Sequence, residues 1–414
     1  MTDQRIVITG LGVVSSIGLG KESFWRSLID GKSGLGKIQG FDASAYSSRI
    51  AGEISDFKPE VYIPRSDIPK MSKVTQYGFA AARMAVEDAG LQLSEEEQSR
   101  TGIAIGTGLG GMGVYEEQLR VLIATGNPRR VHPWSVPLAT SNATAAQIAI
   151  SLGLKGPNIT ISTACSSGAQ AIGYGVDLIR LGRADRVIAG GTEACILPGV
   201  LAAFCSLRAL SVRNDEPSRA SRPFDKRRDG FVMGEGAAIV ILETLESAKR
   251  RGAPIYVEMA GYGSSCEATH MVSPEQTGRQ QAHVMELALK EAGISPSEVD
   301  YINTHGTSTL LNDLVETRAI KMLFKEHAYR ISMNSTKSMI GHTIGAAGAI
   351  EAVVCALTLQ RGIIHPTLNY EEPDPECDLD YTPNKARERK VRVALSNSFG
   401  FGSNNACLIL KDFS

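Results

Sequence analysis

A chain of 414 residues is longer than one ordinary domain and long enough to bury two sizeable cores. Its 43 basic and 44 acidic residues leave a net charge of −1, which excludes a broad nucleic-acid-binding surface and confines any acidic partner to a local basic patch. Hydrophobic residues make up 43%, yet the longest apolar run, near Leu197 to Leu207, falls well short of a membrane span, so no membrane anchor is expected.

In chain order, Arg5-Ile6-Val7-Ile8-Thr9-Gly10-Leu11-Gly12 opens as a strand. Ala85-Val86-Glu87-Asp88-Ala89-Gly90-Leu91 then precedes the strand Gly102 to Gly106, and Leu109 to Ala143 forms a long excursion. Ile159-Thr160-Ile161 is a short strand that meets an amphipathic helix from Gly168 to Leu181, and Glu243 to Arg251 is a further helix. Ala288-Leu289-Lys290-Glu291-Ala292-Gly293-Ile294 echoes the segment at Ala85 and precedes the strand Val299 to Ile302. Arg330 to Met333 is a strand, Thr343 to Gln360 a helix, and Val391 to Leu395 and Ala406 to Leu410 close the chain as strands. Thr163 to Gly168 is echoed by Thr336 to Gly341, each beginning a strand-to-helix turn, so the chain divides into related halves, 1–255 and 256–414.

Four segments carry chemistry. In Ser162-Thr163-Ala164-Cys165-Ser166-Ser167-Gly168 a cysteine sits where strand turns into helix, and free N–H groups at a helix N-terminus favour thiolate over thiol. Cys195, Cys205, Cys355 and Cys407 lie in apolar runs as core residues, and Cys266 and Cys377 lie in polar stretches with no partner. No CxxC pair or Cys/His spacing supports a metal site, and scattered cysteines with no apolar leader lead us to expect a reducing, cytoplasmic setting. Asn303-Thr304-His305-Gly306-Thr307-Ser308-Thr309 and Ser335-Thr336-Lys337-Ser338-Met339-Ile340-Gly341-His342 each place a histidine in a small-residue turn after a strand. Ser396-Asn397-Ser398-Phe399-Gly400-Phe401-Gly402 alternates glycine and phenylalanine, which suits an oxyanion-binding turn beside a hydrophobic gate. Each segment taken alone has an equally good structural reading, as a core cysteine, a packed histidine or a hairpin turn.

In combination and in this order, the four segments, with Arg222-Pro223-Phe224-Asp225 and Asp229-Gly230-Phe231-Val232-Met233-Gly234-Glu235-Gly236, resemble the β-ketoacyl-[acyl carrier protein] synthases, the type II condensing enzymes of fatty acid synthesis. The resemblance runs from the first strand to the last. It implies an α/β thiolase-like fold, two related halves stacked as an α-β-α-β-α sandwich. It implies decarboxylative Claisen condensation of an acyl group held on Cys165 with malonyl-carrier protein. Cys165, His305, His342 and Lys337 are then catalytic, with Lys337 a fixed cation paired with Glu351 rather than a base. Phe401 and Phe399 form the oxyanion turn and gate, Thr307 and Thr309 hold pantetheine, and Leu109 and Trp134 shape the acyl pocket. Arg129, Arg130, Lys70, Lys73 and Arg208, with Arg65, are the candidate docking residues for acyl carrier protein. The resemblance further implies a homodimer without metal or organic cofactor, phosphopantetheine arriving on the carrier protein.

Thiolases carry a second cysteine in the C-terminal glycine turn, where this chain has Phe399-Gly400-Phe401. Type III enzymes use Cys-His-Asn where this chain has His342, and a non-catalytic chain-length factor would lack Cys165. Departures from the family pattern are Trp134-Ser135 in place of two phenylalanines, Leu310-Leu311 where proline is common, Val272 for a threonine facing pantetheine, and Ser403-Asn404 for Gly-Thr. They leave a second reading open: the catalytic ketosynthase of a polyene, polyketide or unusual-lipid pathway, with or without a non-catalytic partner subunit.

Overall fold

The computed structural model describes residues 4–413. Ten strands carry the architecture: β1 (Ile6–Ser15), β2 (Thr101–Gly106), β3 (Asn158–Ile161), β4 (Arg186–Glu193), β5 (Gly236–Thr244), β6 (Val257–Cys266), β7 (Tyr301–Asn303), β8 (Ser332–Asn334), β9 (Val393–Gly400) and β10 (Asn404–Lys411). Their spatial order is β8-β7-β9-β10-β6-β1-β5-β4-β2-β3. Read outward from the middle, the first half runs β1-β5-β4-β2-β3 and the second β6-β10-β9-β7-β8. Each strand of one half therefore has its counterpart five strands later in the other. The pairing directions match as well, with three parallel strands on the outside and antiparallel strands within.

The halves join through β1 and β6, whose antiparallel pairing covers only Val7↔Glu258 and Ile8↔Val257. Helices Ser167–Arg180 and Ala347–Arg361 fill the space between the half-sheets and pack on strands of both. Helix Lys73–Asp88 covers the outside of the first half and helix Arg279–Ala292 the outside of the second. The layers are thus α-β-α-β-α, as the resemblance implies.

Central position explains the sequence of Ala347–Arg361, which is buried on all sides from Ala347 to Leu359 and apolar there apart from Glu351 and Thr358. The stretch Ile344–Arg361 is long and apolar enough to cross a membrane by composition, but 89% of it is buried inside this fold. The two central helices cross at glycines. A Cβ on Gly168 would stand 2.8 Å from Gly345 O and 3.0 Å from Ala349 N, and one on Gly348 would stand 2.9 Å from Ala169 N. No side chain larger than hydrogen fits that approach.

Several sequence expectations shift. The counterpart of the Cys165 turn is not Thr336 to Gly341 but Thr343-Ile344-Gly345-Ala346-Ala347-Gly348. Both turns are single 3-10 turns, Ala164–Ser166 and Ile344–Ala346, that start at a left-handed residue, Ala164 (φ 52°) or Ile344 (φ 44°), and run into a central helix. Glu243 lies on β5 and not in a helix, because its carboxylate is buried against Arg186, Arg251 and Thr9. Arg330 ends a 3-10 helix, Lys325–Arg330, and β8 begins at Ser332. The C-terminal strands extend through the Ser396–Gly400 motif, leaving only Phe401–Ser403 as the turn. Cys377, in a polar stretch, is buried, and Cys205, in an apolar one, is only half-buried.

Candidate active site

The Cys165 turn is held by its own serines. Thr163 N–H donates to Ser167 Oγ at 2.9 Å, Ser167 Oγ donates to Ala164 O at 2.6 Å, and Ser166 Oγ donates to Thr163 O at 2.8 Å. The two hydroxyls of the motif staple the turn, while Cys165 lines a cavity.

His305 follows β7. Its own N–H and that of Gly306 each donate to the Glu316 carboxylate at 2.8 Å, and Asn397 Nδ2 donates to the same group at 3.0 Å. His342 follows the short helix Lys337–Ile340, and its N–H donates to Val232 O at 2.7 Å. Nε2 of His342 lies 3.0 Å from Cys165 Sγ. The two imidazoles stand edge to face with centroids 5.3 Å apart. One nitrogen of each and the sulfur all lie within 4.8 Å of one another, fully enclosed. Phe399 and Phe231 flank the rings, at 5.7 Å from His305 and 5.4 Å from His342.

Burial sets the proton inventory. It pushes the Cys165 thiol up to about 12, although the Lys337 ammonium and a hydrogen bond from the Phe401 backbone pull it down. The helix N-terminus is where the sequence puts it, but enclosure outweighs it and the resting sulfur is a thiol. Burial likewise holds both histidines well below the usual imidazole range, and the Lys337 charge lowers them further. Neutral imidazoles are hydrogen-bond donors, not acids. Lys337 is ion-paired with Glu351, and both side chains are buried. Breaking such a pair costs about 3–5 kcal/mol, so Lys337 is fixed in place and not a mobile base. Its ammonium acts on Cys165, His305 and His342 alike, which opposes a metal cation among the three even though their spacing is within reach of one.

The cavity has a volume of about 480 Å³. Leu109, Ile344 and Phe204 line it with Cys165, His305, His342, Phe399 and Phe401, and Thr307, Thr309, Arg208, Leu310 and Val272 line it as well. Thr307 and Thr309 hydrogen-bond each other at 2.9 Å. Trp134 does not line this cavity. It is 51% exposed at the start of the short helix Ser135–Ala139. Among the basic candidates, Arg208 lines the cavity, and Arg129 and Arg130 are exposed on a 3-10 turn away from it. Lys70 pairs with Asp67 on the surface, and Arg65 is exposed. Lys73 pairs instead with buried Glu235 at 2.9 Å, supplying the cation that this carboxylate meets beside the Ile54 N–H and the Tyr77 hydroxyl.

Two buried carboxylates have no counterpart in the sequence reading. Glu193, at the end of β4, accepts from Gly108 N–H (2.7 Å), Leu109 N–H (3.2 Å), Thr107 Oγ1 (3.2 Å) and Gly345 N–H (2.9 Å). It ties the Leu109 loop to the turn after His342. Glu316 does the same for the His305 loop. Burial raises both to about 7. Only the sudden acid after an apolar run marks Glu193 in the sequence, and nothing local marks Glu316.

Residues 3–248 match the family model of the beta-ketoacyl synthase N-terminal domain, and residues 256–371 that of the C-terminal domain. The chain belongs to the β-ketoacyl synthase family. This synthase is 47% identical over 411 residues to 3-oxoacyl-[acyl-carrier-protein] synthase 2 of Coxiella burnetii, covering 99% of each chain. It is 44% identical to the protein of the same name in Staphylococcus aureus strain COL, again over 99% of each. Among solved structures it superposes with a TM-score of 0.93 on the ishigamide ketosynthase/chain length factor, at 38% identity over 100% of both chains. The same TM-score and identity, again over 100% of both chains, relate it to a type II polyketide synthase ketosynthase solved with its acyl-carrier protein and a hexaketide.

Proposed function

We propose that this synthase condenses an acyl group held on Cys165 with malonyl-acyl carrier protein, releasing CO₂ and a β-ketoacyl-carrier protein two carbons longer. The observation that carries this reading is the convergence of one sulfur and two imidazoles, all three side chains buried, on one cavity. In the first step Cys165 sulfur attacks the acyl thioester carbonyl. The C–S bond to the carrier breaks, and the thiol proton passes to the departing carrier sulfur, which leaves as a free thiol. The backbone N–H groups of Cys165 and Phe401 hold the oxyanion. In the second step the malonyl carboxylate leaves as CO₂, and its electron pair becomes an enolate. Donation from His305 and His342 stabilises the enolate oxygen, which a neutral pair does without first losing a proton. The enolate carbon then attacks the Cys165 thioester and expels the thiolate, which takes up one proton from solvent, the proton that the overall reaction consumes.

The remaining roles are part of the same proposal. Lys337 paired with Glu351 fixes the positive potential, Thr307 and Thr309 receive the pantetheine arm, and Leu109 limits acyl length. Arg208 at the cavity, with Arg129, Arg130 and Lys70 outside it, meets the acidic carrier protein, whereas Lys73 is committed to Glu235. The chemistry uses no metal or organic cofactor of the enzyme's own, and the compartment is the cytoplasm. Cys165→Ala is expected to abolish condensation while retaining CO₂ release from malonyl-carrier protein, and His305→Ala to lose that release. Elongation by the Cys165→Ala enzyme would remove the assignment.

The second reading is a ketosynthase of a specialised polyene or polyketide pathway. It is favoured by the likeness to the ishigamide and type II polyketide ketosynthases, and is distinguished by the acyl chains that load.

A further inference from the structure

Gln281 stands on the first turn of helix Arg279–Ala292, fully buried, and neither its Nε2 nor its Oε1 has a hydrogen-bond partner among the described residues. It nevertheless lines the active-site cavity, on the wall that also holds His305, Thr307, Phe399 and Asn405. One helical turn further on, Met285 Sδ accepts from Asn397 Nδ2 at 3.5 Å, and that same amide donates to Glu316 at 3.0 Å. Gln281 therefore lies on the helix face directed at the His305 loop. A buried carboxamide is ordinarily paired, because it gives up water on entering the fold. Here both its donor and its acceptor are kept for something that enters the cavity.

We propose that the Gln281 carboxamide binds a secondary amide of the pantetheine arm that carries the substrate. This rests on the reading that substrates arrive on carrier protein. Donor and acceptor matching selects the group. Malonyl carboxylate and thioester carbonyls only accept, and would leave Oε1 unmet, whereas a secondary amide offers one N–H and one C=O. The rest of the wall leaves this task open. Val272 has no hydrogen-bonding side chain, Asn312 Nδ2 already donates to Asp313 and Asn405 Nδ2 to Glu267, and Thr307 and Thr309 offer the arm single hydroxyls rather than a paired donor and acceptor. Gln281 thereby makes the cavity selective for amide-bearing thioesters, since an analogue without the amide leaves the carboxamide buried and unpaired.

The test is pantetheine binding to the Cys165→Ala enzyme, followed by saturation-transfer NMR, with and without Gln281→Leu, an apolar change of similar size. The expected result is affinity lower by about tenfold in the double variant, from loss of the hydrogen-bonded pair. Its thermal midpoint should be unchanged or higher, because an unpaired buried amide has been removed. An analogue with ester oxygen in place of each amide nitrogen should bind more weakly than pantetheine to the protein that keeps Gln281. The Gln281→Leu protein should bind the two compounds equally. Gln281→Met is read in the same way if the leucine variant does not fold. Equal pantetheine affinity in the two proteins overturns the proposal and leaves the condensation reading standing. Absence of pantetheine binding to the Cys165→Ala protein, when the parent enzyme elongates acyl-carrier protein, overturns it as well. Absence of that binding together with absence of elongation by the parent enzyme overturns the condensation reading with it.

Discussion

Cys165 is buried as a thiol beside two imidazoles that are buried as neutral rings. Its ionisation near 12 means that the thiolate fraction rises through the whole neutral and alkaline range. Alkylation of Cys165 by a small reagent should therefore accelerate about tenfold per pH unit from pH 7 to 10, without a plateau. The histidines add no inflection near 6.5, because burial lowers both and they stay uncharged across that range. A plateau above pH 8 would mean that the helix N-terminus, and not enclosure, governs the sulfur. At this scale the sequence reveals what sits in short motifs. Cys165, His305, His342, Lys337 and the Phe399–Phe401 turn lie in short motifs of small residues, which single them out locally, while their roles come from the four motifs taken together and the family they resemble. Glu193 and Glu316 escape because their partners are backbone N–H groups from other loops. Glu193 reaches back to Gly108 and forward to Gly345, a pairing that no local spacing encodes. Trp134, placed by the family resemblance rather than by a local signal, lies outside the cavity of the single chain and is half exposed there.

Each half of the chain delivers its site residues through a strand, a tight turn and a central helix. The Cys165 and Gly345 turns are equivalent in backbone, and only the first carries a sulfur. The second instead gives its Gly345 N–H to Glu193, which links the Leu109 loop to the segment bearing His342. The crossing at Gly168 and Gly348 sets how closely these turns approach. Gly168→Val should cost about 1–3 kcal/mol, since the atoms it meets are backbone and cannot move aside. Urea unfolding checks this, and a midpoint equal to the parent protein would show that the helices can separate without penalty. The repeat itself is legible, from Ala85–Leu91 and Ala288–Ile294. Its register around the nucleophile is not, because Thr336-Lys337-Ser338 imitates the start of the cysteine motif seven residues before the true counterpart at Thr343.

The two half-sheets share ten strands in matching order, and their outermost strands stand at the ends of the combined sheet. Among the described residues β3 pairs only with β2, which leaves its other edge open. Helix Met112–Thr125 exposes Met112, Tyr115, Leu119 and Ile123 along one face, and Trp134, Val136 and Ile150 are exposed as well. An open strand edge together with an apolar face fits burial against a second copy of the chain, as in the homodimer that the resemblance implies. Leu119→Glu with Ile123→Glu should convert a dimer to a monomer in light scattering, and an unchanged mass would assign the contact elsewhere.

Every step of the proposed condensation depends on Cys165 accepting an acyl chain and passing it to a malonyl-derived carbanion. The most direct test is the intact mass of the purified chain mixed with acyl-carrier proteins of graded length and unsaturation, followed by malonyl-carrier protein. The expected result is a mass gain of one acyl group, absent in Cys165→Ala, discharged on addition of malonyl-carrier protein as a product two carbons longer. Loading across ordinary saturated chains supports fatty acid elongation, and loading confined to polyenes moves the enzyme to the specialised pathway. An acyl group that never appears on Cys165, or that appears and is not discharged by malonyl-carrier protein, would contradict the account.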